Sequence, residues 1–188
     1  MTLPNDYRKE DPILKLETKR LILRRPELKD AAAYTAIHNS DFVLRYNAMQ
    51  QTTAERMKRA FENPEYLETA VFLEEKETGT LIGAIFMEED SLRYGVVSKG
   101  LSYFLDEAYS RKGYMKEAMV AVLGCLFEAE NLECVCCRAF ASNTASRALL
   151  KSLGFQENGI IPRCVKGYTG EIFDDVIHTL FREDFHKE

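Results

Sequence analysis

The stretch from Leu101 to Glu130 joins an apolar strand segment to a long amphipathic helix through one short polar turn. Leu101-Ser102-Tyr103-Phe104-Leu105 is apolar enough to be buried. Behind it, Ala118, Met119, Val122, Leu123, Leu126 and Phe127 recur at helical spacing and form a wide stripe over about 111–130. Such a stripe has to lie on another apolar surface, and the strand just before it belongs to a sheet. The junction therefore predicts helices layered on a sheet.

The other periodicities arrange themselves around that unit. Thr18 to Arg24 reads as a strand that Pro26 ends, and Glu27 to Asn39 as a helix. Thr52 or Thr53 caps a second helix to about Glu62, and Asn63-Pro64 stops it. Ala70–Glu75 and Leu81–Met87 form a hairpin around Thr78-Gly79, with Gly83 weakening the second strand. Gly95 to Leu105 is the third strand of this set. After the long helix come a strand at Cys134–Phe140 and a helix capped by Ser142 or Asn143, with Gly154 at its C-cap. Strands at Phe155–Ile161 and Val176–Phe181 flank a polar loop, Pro162 to Asp174. No repeat or composition break interrupts the 188 residues, so one α+β domain is expected over 1–188, with 1–14 a flexible N-terminal segment.

Apolar residues at 46% and charged residues at 29% give a globular profile. A net charge of −5 lacks the global cationic field of non-specific nucleic-acid binders, so no nucleic-acid partner is expected. No apolar run approaches the roughly 20 residues that span a bilayer. Met1 to Lys15 is polar and lacks the apolar stretch of a secretory signal. A soluble, cytoplasmic protein with no membrane partner is the expectation. Cys134, Cys136 and Cys137 have no second pair or nearby histidines to complete a metal site, and read as buried structural cysteines. No metal is expected.

The chemistry concentrates at the start of the long helix. Ser110-Arg111-Lys112-Gly113-Tyr114-Met115-Lys116 opens it. A helix N-terminus presents unpaired N–H groups and partial positive charge, which suit a pyrophosphate. Gly113 allows close approach to the backbone, and Arg111, Lys112 and Lys116 add cationic cover. The pattern is neither GxxxxGK[ST] nor GxGxxG, which disfavours nucleoside triphosphate hydrolysis.

Four segments in order resemble the GNAT superfamily of acetyltransferases, and in particular its ribosomal-protein N-acetyltransferase (RimJ/RimL-like) branch. They are Leu16 to Arg24, Lys112 to Ala118, Asn143 to Phe155, and Phe173 to Leu180. The resemblance implies a mixed, mostly antiparallel sheet of about seven strands, with helices on both faces. It implies two parallel strands, Gly95–Leu105 and Glu133–Phe140, that splay into a V-shaped cleft. Acetyl-CoA, as co-substrate, would lie in the gap and bond the first strand near Phe104 and Leu105. Its phosphates would meet Ser110, Arg111, Lys112, Gly113, Tyr114, Met115 and Lys116. The branch places a serine near the sulfur, and Ser146 occupies that position as general acid. Asn143 would bond the pantetheine or set the helix start.

The chain also departs from the superfamily. Of the (Gln/Arg)-x-x-Gly-x-(Gly/Ala) loop only Gly113 agrees, with Ser110 and Met115 at the flanking positions. Gly100 replaces a glutamate base, and Leu150 replaces a tyrosine acid. The base is therefore unassigned. Tyr103 and Tyr114 read as packing or adenine-side contacts. Glu88-Glu89-Asp90 reads as a solvated hairpin tip, with recruitment of a cationic substrate as the alternative. Asp175, at the start of the last strand, reads as a capping or turn residue, with orientation of a pocket group as the alternative.

The expected activity is direct transfer of acetyl to a primary amine in a ternary complex. The acceptor is a peptide N-terminal α-amine or a small-molecule amine, and the enzyme a monomer or homodimer. The alternative is a non-catalytic acyl-CoA-binding module.

Overall fold

The computed structural model describes residues 15–186, so the expectation for 1–14 lies outside the described residues. The strands are β1 (Lys15–Glu17), β2 (Leu21–Arg24), β3 (Ala70–Glu75), β4 (Thr80–Glu89), β5 (Ser98–Leu105), β6 (Cys134–Phe140), β7 (Gln156–Lys166) and β8 (Ile172–Phe181). They form one eight-stranded sheet in the order β1-β2-β3-β4-β5-β6-β8-β7. Every neighbouring pair is antiparallel except β5–β6. The helices are α1 (Ala31–His38), α2 (Asp41–Leu44), α3 (Ala54–Phe61), α4 (Pro64–Thr69), α5 (Tyr114–Ala129) and α6 (Thr144–Ser152).

Alternation along the strands produces two cores, one on each face. On one face, the α5 stripe and Leu150 and Leu153 from the α6 end pack against Leu21, Leu23, Val71, Ile85 and Val135. On the other, Tyr34 of α1 and Phe61 of α3 pack against Phe72, Ala84 and Phe104. Tyr34 stacks on Phe72 with ring centroids 5.3 Å apart, and Phe61 meets Phe72 edge-on at 5.4 Å. Such pairs add about 0.5–1.5 kcal/mol each beyond area burial. Cys137 enters the α5-side core, whereas Cys134 and Cys136 are buried outside it, as strand alternation requires.

Several sequence expectations need correction. An eighth strand, β1, pairs with β2, because Thr18 N donates to Leu21 O and reverses the chain between them. Two short helices, α2 and α4, go beyond the expected set. Asn63-Pro64 ends α3 but also starts α4: Asn63 Oδ1 accepts from Glu65 N, and Pro64 fits the first turn. The strand expected from Gly95 begins at Ser98, since Gly95 turns with φ 71°. The loop expected over 162–174 is mostly strand, with Val165 opposite Phe173 and Lys166 opposite Ile172. Its residues are largely exposed on both faces, so no apolar alternation marked them. Glu88 and Glu89 belong to β4, and Asp90 is not solvated: its buried carboxylate pairs with Arg93 at 2.6 Å.

Gly83 does not interrupt its strand. Leu73 pairs with Gly83 and Glu74 with Leu81, which leaves Ile82 as an extra bulged residue. A Cβ on Gly83 would lie 2.5 Å from Phe104 O. Glycine therefore allows β4 and β5 to close together at the end of β5. Gly83→Ala is expected to lower stability by about 1–3 kcal/mol, the usual range for overpacking. Chemical denaturation measures it, and an unshifted midpoint would show that β5 yields without cost.

Candidate active site

β5 and β6 pair in parallel over four positions, from Ser98 opposite Cys134 to Leu101 opposite Cys137. Past that point they part. Ser102 to Leu105 stay paired to β4, and Arg138 to Phe140 stay paired to β8. Each strand keeps its outer ladder and loses its inner one, so a gap opens with main-chain groups along its walls. Asp106 N donates to Ile82 O on the β4 side at 2.7 Å. Strand alternation then turns the Leu105 N–H the other way, into the gap.

The turn after β5 leads into α5. Tyr109 N and Ser110 N donate back to Asp106 O and Glu107 O, and the next main-chain bond is Glu117 N to Gly113 O. Between them, the N–H groups of Arg111 to Met115 find no main-chain acceptor among the described residues. Arg111 and Gly113 both have left-handed backbones, at φ 57° and 80°. Gly113 is the α5 N-cap and brings no capping side chain, which leaves the helix end open to an anion.

Arg20, just before β2, holds this turn in place. Its Nη1 donates to Lys112 O at 2.9 Å, its Nε pairs with Glu117 Oε2 at 2.7 Å, and its guanidinium lies 4.1 Å over the Tyr114 ring. Glu117 also accepts from Thr18 Oγ1 and Arg20 N. Burial raises the Glu117 carboxyl pKa, but the hydrogen bonds from Thr18 and Arg20 outweigh it and hold the group below its ordinary value.

The opposite wall comes from α6. Asn143 Oδ1 accepts from Ser146 N at 3.1 Å and caps the helix. Gly154 (φ 91°) closes the other end, where Phe155 N donates to Leu150 O. Ser146 Oγ lies 2.7 Å from Tyr103 Oη of β5. Burial pushes the Tyr103 phenol far above its ordinary pKa, the nearby Cys137 thiol adds to this, and only Ser146 works the other way. The Cys136 and Cys137 thiols are also raised by burial, so neither is a ready nucleophile.

One cavity of about 500 Å³ joins these parts. Residues 20–156 match the family model described as the acetyltransferase (GNAT) domain. The chain belongs to the GNAT acetyltransferase family. It is 27% identical to the Bacillus subtilis N-acetyltransferase YnaD, over 91% of this chain and 99% of that protein. Its fold is that of the ribosomal-protein-S5-alanine acetyltransferase of Vibrio fischeri, with a TM-score of 0.80, 19% identity, and coverage of 92% of this chain and 98% of that one. Mycobacterium smegmatis RimJ, solved with CoA-disulfide, gives a TM-score of 0.74 at 19% identity, covering 87% of this chain and 82% of that one.

The cavity of this acetyltransferase collects Phe104, Leu105, Ser110, Arg111, Gly113, Tyr114, Met115, Lys116, Asn143 and Ser146 on one lining. Lys112 is not on it; its carbonyl faces Arg20 and its ammonium lies 5.7 Å from the Tyr109 ring. The Phe104 ring is buried in the α1-side core, where it packs against Tyr34 and His38. Tyr114 packs under Arg20, as expected of a packing residue. Tyr103 does more than pack, since its hydroxyl meets Ser146. Leu150 is fully buried in the α5-side core and brings no hydroxyl.

Sequence reasoning left out several residues that line or brace the site. Arg45, Tyr46 and Asn47, behind α2, line the cavity; α2 is one turn long and left no periodicity to read. Tyr168 N donates to Asn47 O at 3.2 Å and ties the β7–β8 turn to that segment. Asp175, expected at the start of the last strand as a cap or turn residue or a pocket-orienting group, is a buried β8 residue whose Oδ2 pairs with Arg138 Nε at 2.6 Å. Arg20 was legible only as part of the Leu16–Arg24 segment, with no hint of its partners.

Because the folded Glu117 pKa is depressed, its contribution to stability is present above the ordinary carboxylate pKa and lost as pH falls through the folded value. Glu117→Gln is expected to cost about 1.5–3 kcal/mol at neutral pH, as for a lost charge-assisted bond. It should also flatten the acid limb of a stability–pH profile measured by urea melts. An unchanged acid limb would remove Glu117 from the clamp.

Proposed function

We propose that the protein transfers acetyl from acetyl-CoA to a primary amine, with a peptide α-amine the acceptor of choice. The observation that carries this reading is the single cavity joining the open α5 N-terminus, the β5 edge at Leu105 and the Ser146 hydroxyl. A bound acetyl-CoA supplies a thioester, an acyl group already activated for attack. The diphosphate fits the amides of 111–115, with Arg111 and Lys116 on the same lining. The pantetheine fits the unpaired edge of β5, where the Leu105 N–H serves the carbonyl oxygen. That donor strengthens its bond as negative charge develops on the oxygen. The acceptor amine attacks directly, and Ser146 gives a proton to the departing sulfur.

The acceptor enters from the face that carries Glu88, Ser102 and Arg138. Glu88 sits opposite Gly100 in the register, and its carboxylate accepts from Ser102 Oγ. It gives a cationic amine a counter-charge at the rim of the gap. No side chain at position 100 can act as base. A peptide α-amine, with a pKa of about 8, loses its proton to water far more readily than a lysine at about 10.4. The Vibrio fischeri protein of the same fold is named for an alanine of a ribosomal protein as its acceptor, which supports the choice of a peptide here.

Thiol release from acetyl-CoA, followed with N-terminal peptides, lysine peptides and small amines, tests this reading. Release with N-terminal peptides above the other classes is the expected result. Binding of acetyl-CoA without release on any amine would instead identify an acyl-CoA-binding module. Gly113→Glu is expected to abolish acetyl-CoA binding in calorimetry through clash and charge; retained affinity would move the diphosphate elsewhere. Ser146→Ala should lower kcat about 100-fold, the lower range for a general acid, with acetyl-CoA affinity kept.

A further inference from the structure

We propose that Tyr103 is a positioning residue for the proton transfer: its phenol on β5 donates to Ser146 Oγ on α6 and so directs the serine proton toward the departing sulfur. This rests on the reading of Ser146 as the acid. The two oxygens are 2.7 Å apart, and both residues line the cavity beside Leu105 and Asn143. Tyr103 belongs to the part of β5 that has left β6, so its side chain reaches α6 from across the gap.

A serine hydroxyl has one proton and rotates to suit its partners. On a helix it readily turns back to a carbonyl of the preceding turn. A donor placed on its oxygen removes that freedom. Tyr103 is suited to the task because a phenol is neutral at neutral pH and has a proton to give, and burial pushes its pKa further up. With the phenol donating to Oγ, the serine proton is left for another acceptor. As that proton moves to sulfur, negative charge gathers on Oγ and the phenol bond strengthens.

The rest of Ser146 is already constrained, since its N–H is held by Asn143 Oδ1. Only the hydroxyl rotor remains, and Tyr103 is the partner that sets it. One turn further along α6, Leu150 is buried in the core and offers nothing to the sulfur. In the balanced step, the acyl carbon forms its bond to nitrogen and breaks its bond to sulfur. The amine, already neutral when it attacks, releases one further proton to water, Ser146 gives one to sulfur, and Ser146 regains its proton from water.

The test is a double-mutant cycle of Tyr103→Phe and Ser146→Ala on the full chain, with kcat, the KM for acetyl-CoA and thermal melting measured for each. Tyr103→Phe keeps the ring, so melting and KM should hold while kcat falls about tenfold, a fraction of the general-acid effect. In the Ser146→Ala background the same change should cost nothing further. Full kcat in Tyr103→Phe beside a slow Ser146→Ala would overturn the role of Tyr103 and leave the acid in place. Additive losses would also overturn it, because Tyr103 would then act apart from Ser146. Full kcat in Ser146→Ala would remove the acid itself, and the proposal with it.

Discussion

The parting of β5 from β6 after Leu101 and Cys137 is the constraint on which the rest of the site depends. A parallel pair that continued to the strand ends would consume the Leu105 N–H and close the gap. Here each strand is held on its far side instead, β5 by β4 and β6 by β8. The outer ladders keep the walls rigid, and the inner edges keep their hydrogen-bonding capacity for a ligand. Gly83 contributes to this arrangement by letting the end of β5 lie close against β4.

The same divergence sets where the two helices begin. α5 starts from the turn that follows β5, and α6 from the turn that follows β6. Both N-termini therefore stand at the mouth of the gap, where an extended, anionic thioester would meet amides at one end and a hydroxyl at the other. The mouth is braced at both sides. Arg20 and Glu117 fasten the α5 turn to the start of β2, and the Asn143 cap fastens Ser146. Ion pairs of this partly buried kind gain from several partners acting together, as the Arg20 guanidinium does with a carboxylate, a carbonyl and a ring.

What sequence reading found, it found through local signals. The α5 stripe, the glycines at 113 and 154, and the Asn143 cap each declare themselves within a few residues, because helix periodicity and caps are local. Most of the expected cofactor contacts came from one contiguous run, 110–116, and all of that run except Lys112 lines the cavity. Arg45 to Asn47 were not legible one by one, although the loop 162–174 and the helices after Asn39 were expected to shape the choice of acceptor. Arg45 to Asn47 reach the cavity through chain reversal, while the β7–β8 turn touches only Asn47, and β7 is exposed on both faces, so its pattern carries no core signal. Asp175 was placed at the start of the last strand but weighed mainly as a turn or cap, because an aspartate beside a glycine-containing loop often marks a turn; here its Oδ2 pairs with Arg138 within the strand.

The amino-acid order alone determined most of the longer elements, their succession and the open start of α5, since these follow from spacing, capping and backbone freedom. Only the tertiary structure decided that Tyr103 meets Ser146, that Arg20 grips Lys112 and Glu117, and that Lys112 lies off the cavity. Those contacts join residues 43, 92 and 97 positions apart. No local rule relates residues so distant; the crossing of strands and helices brings them together.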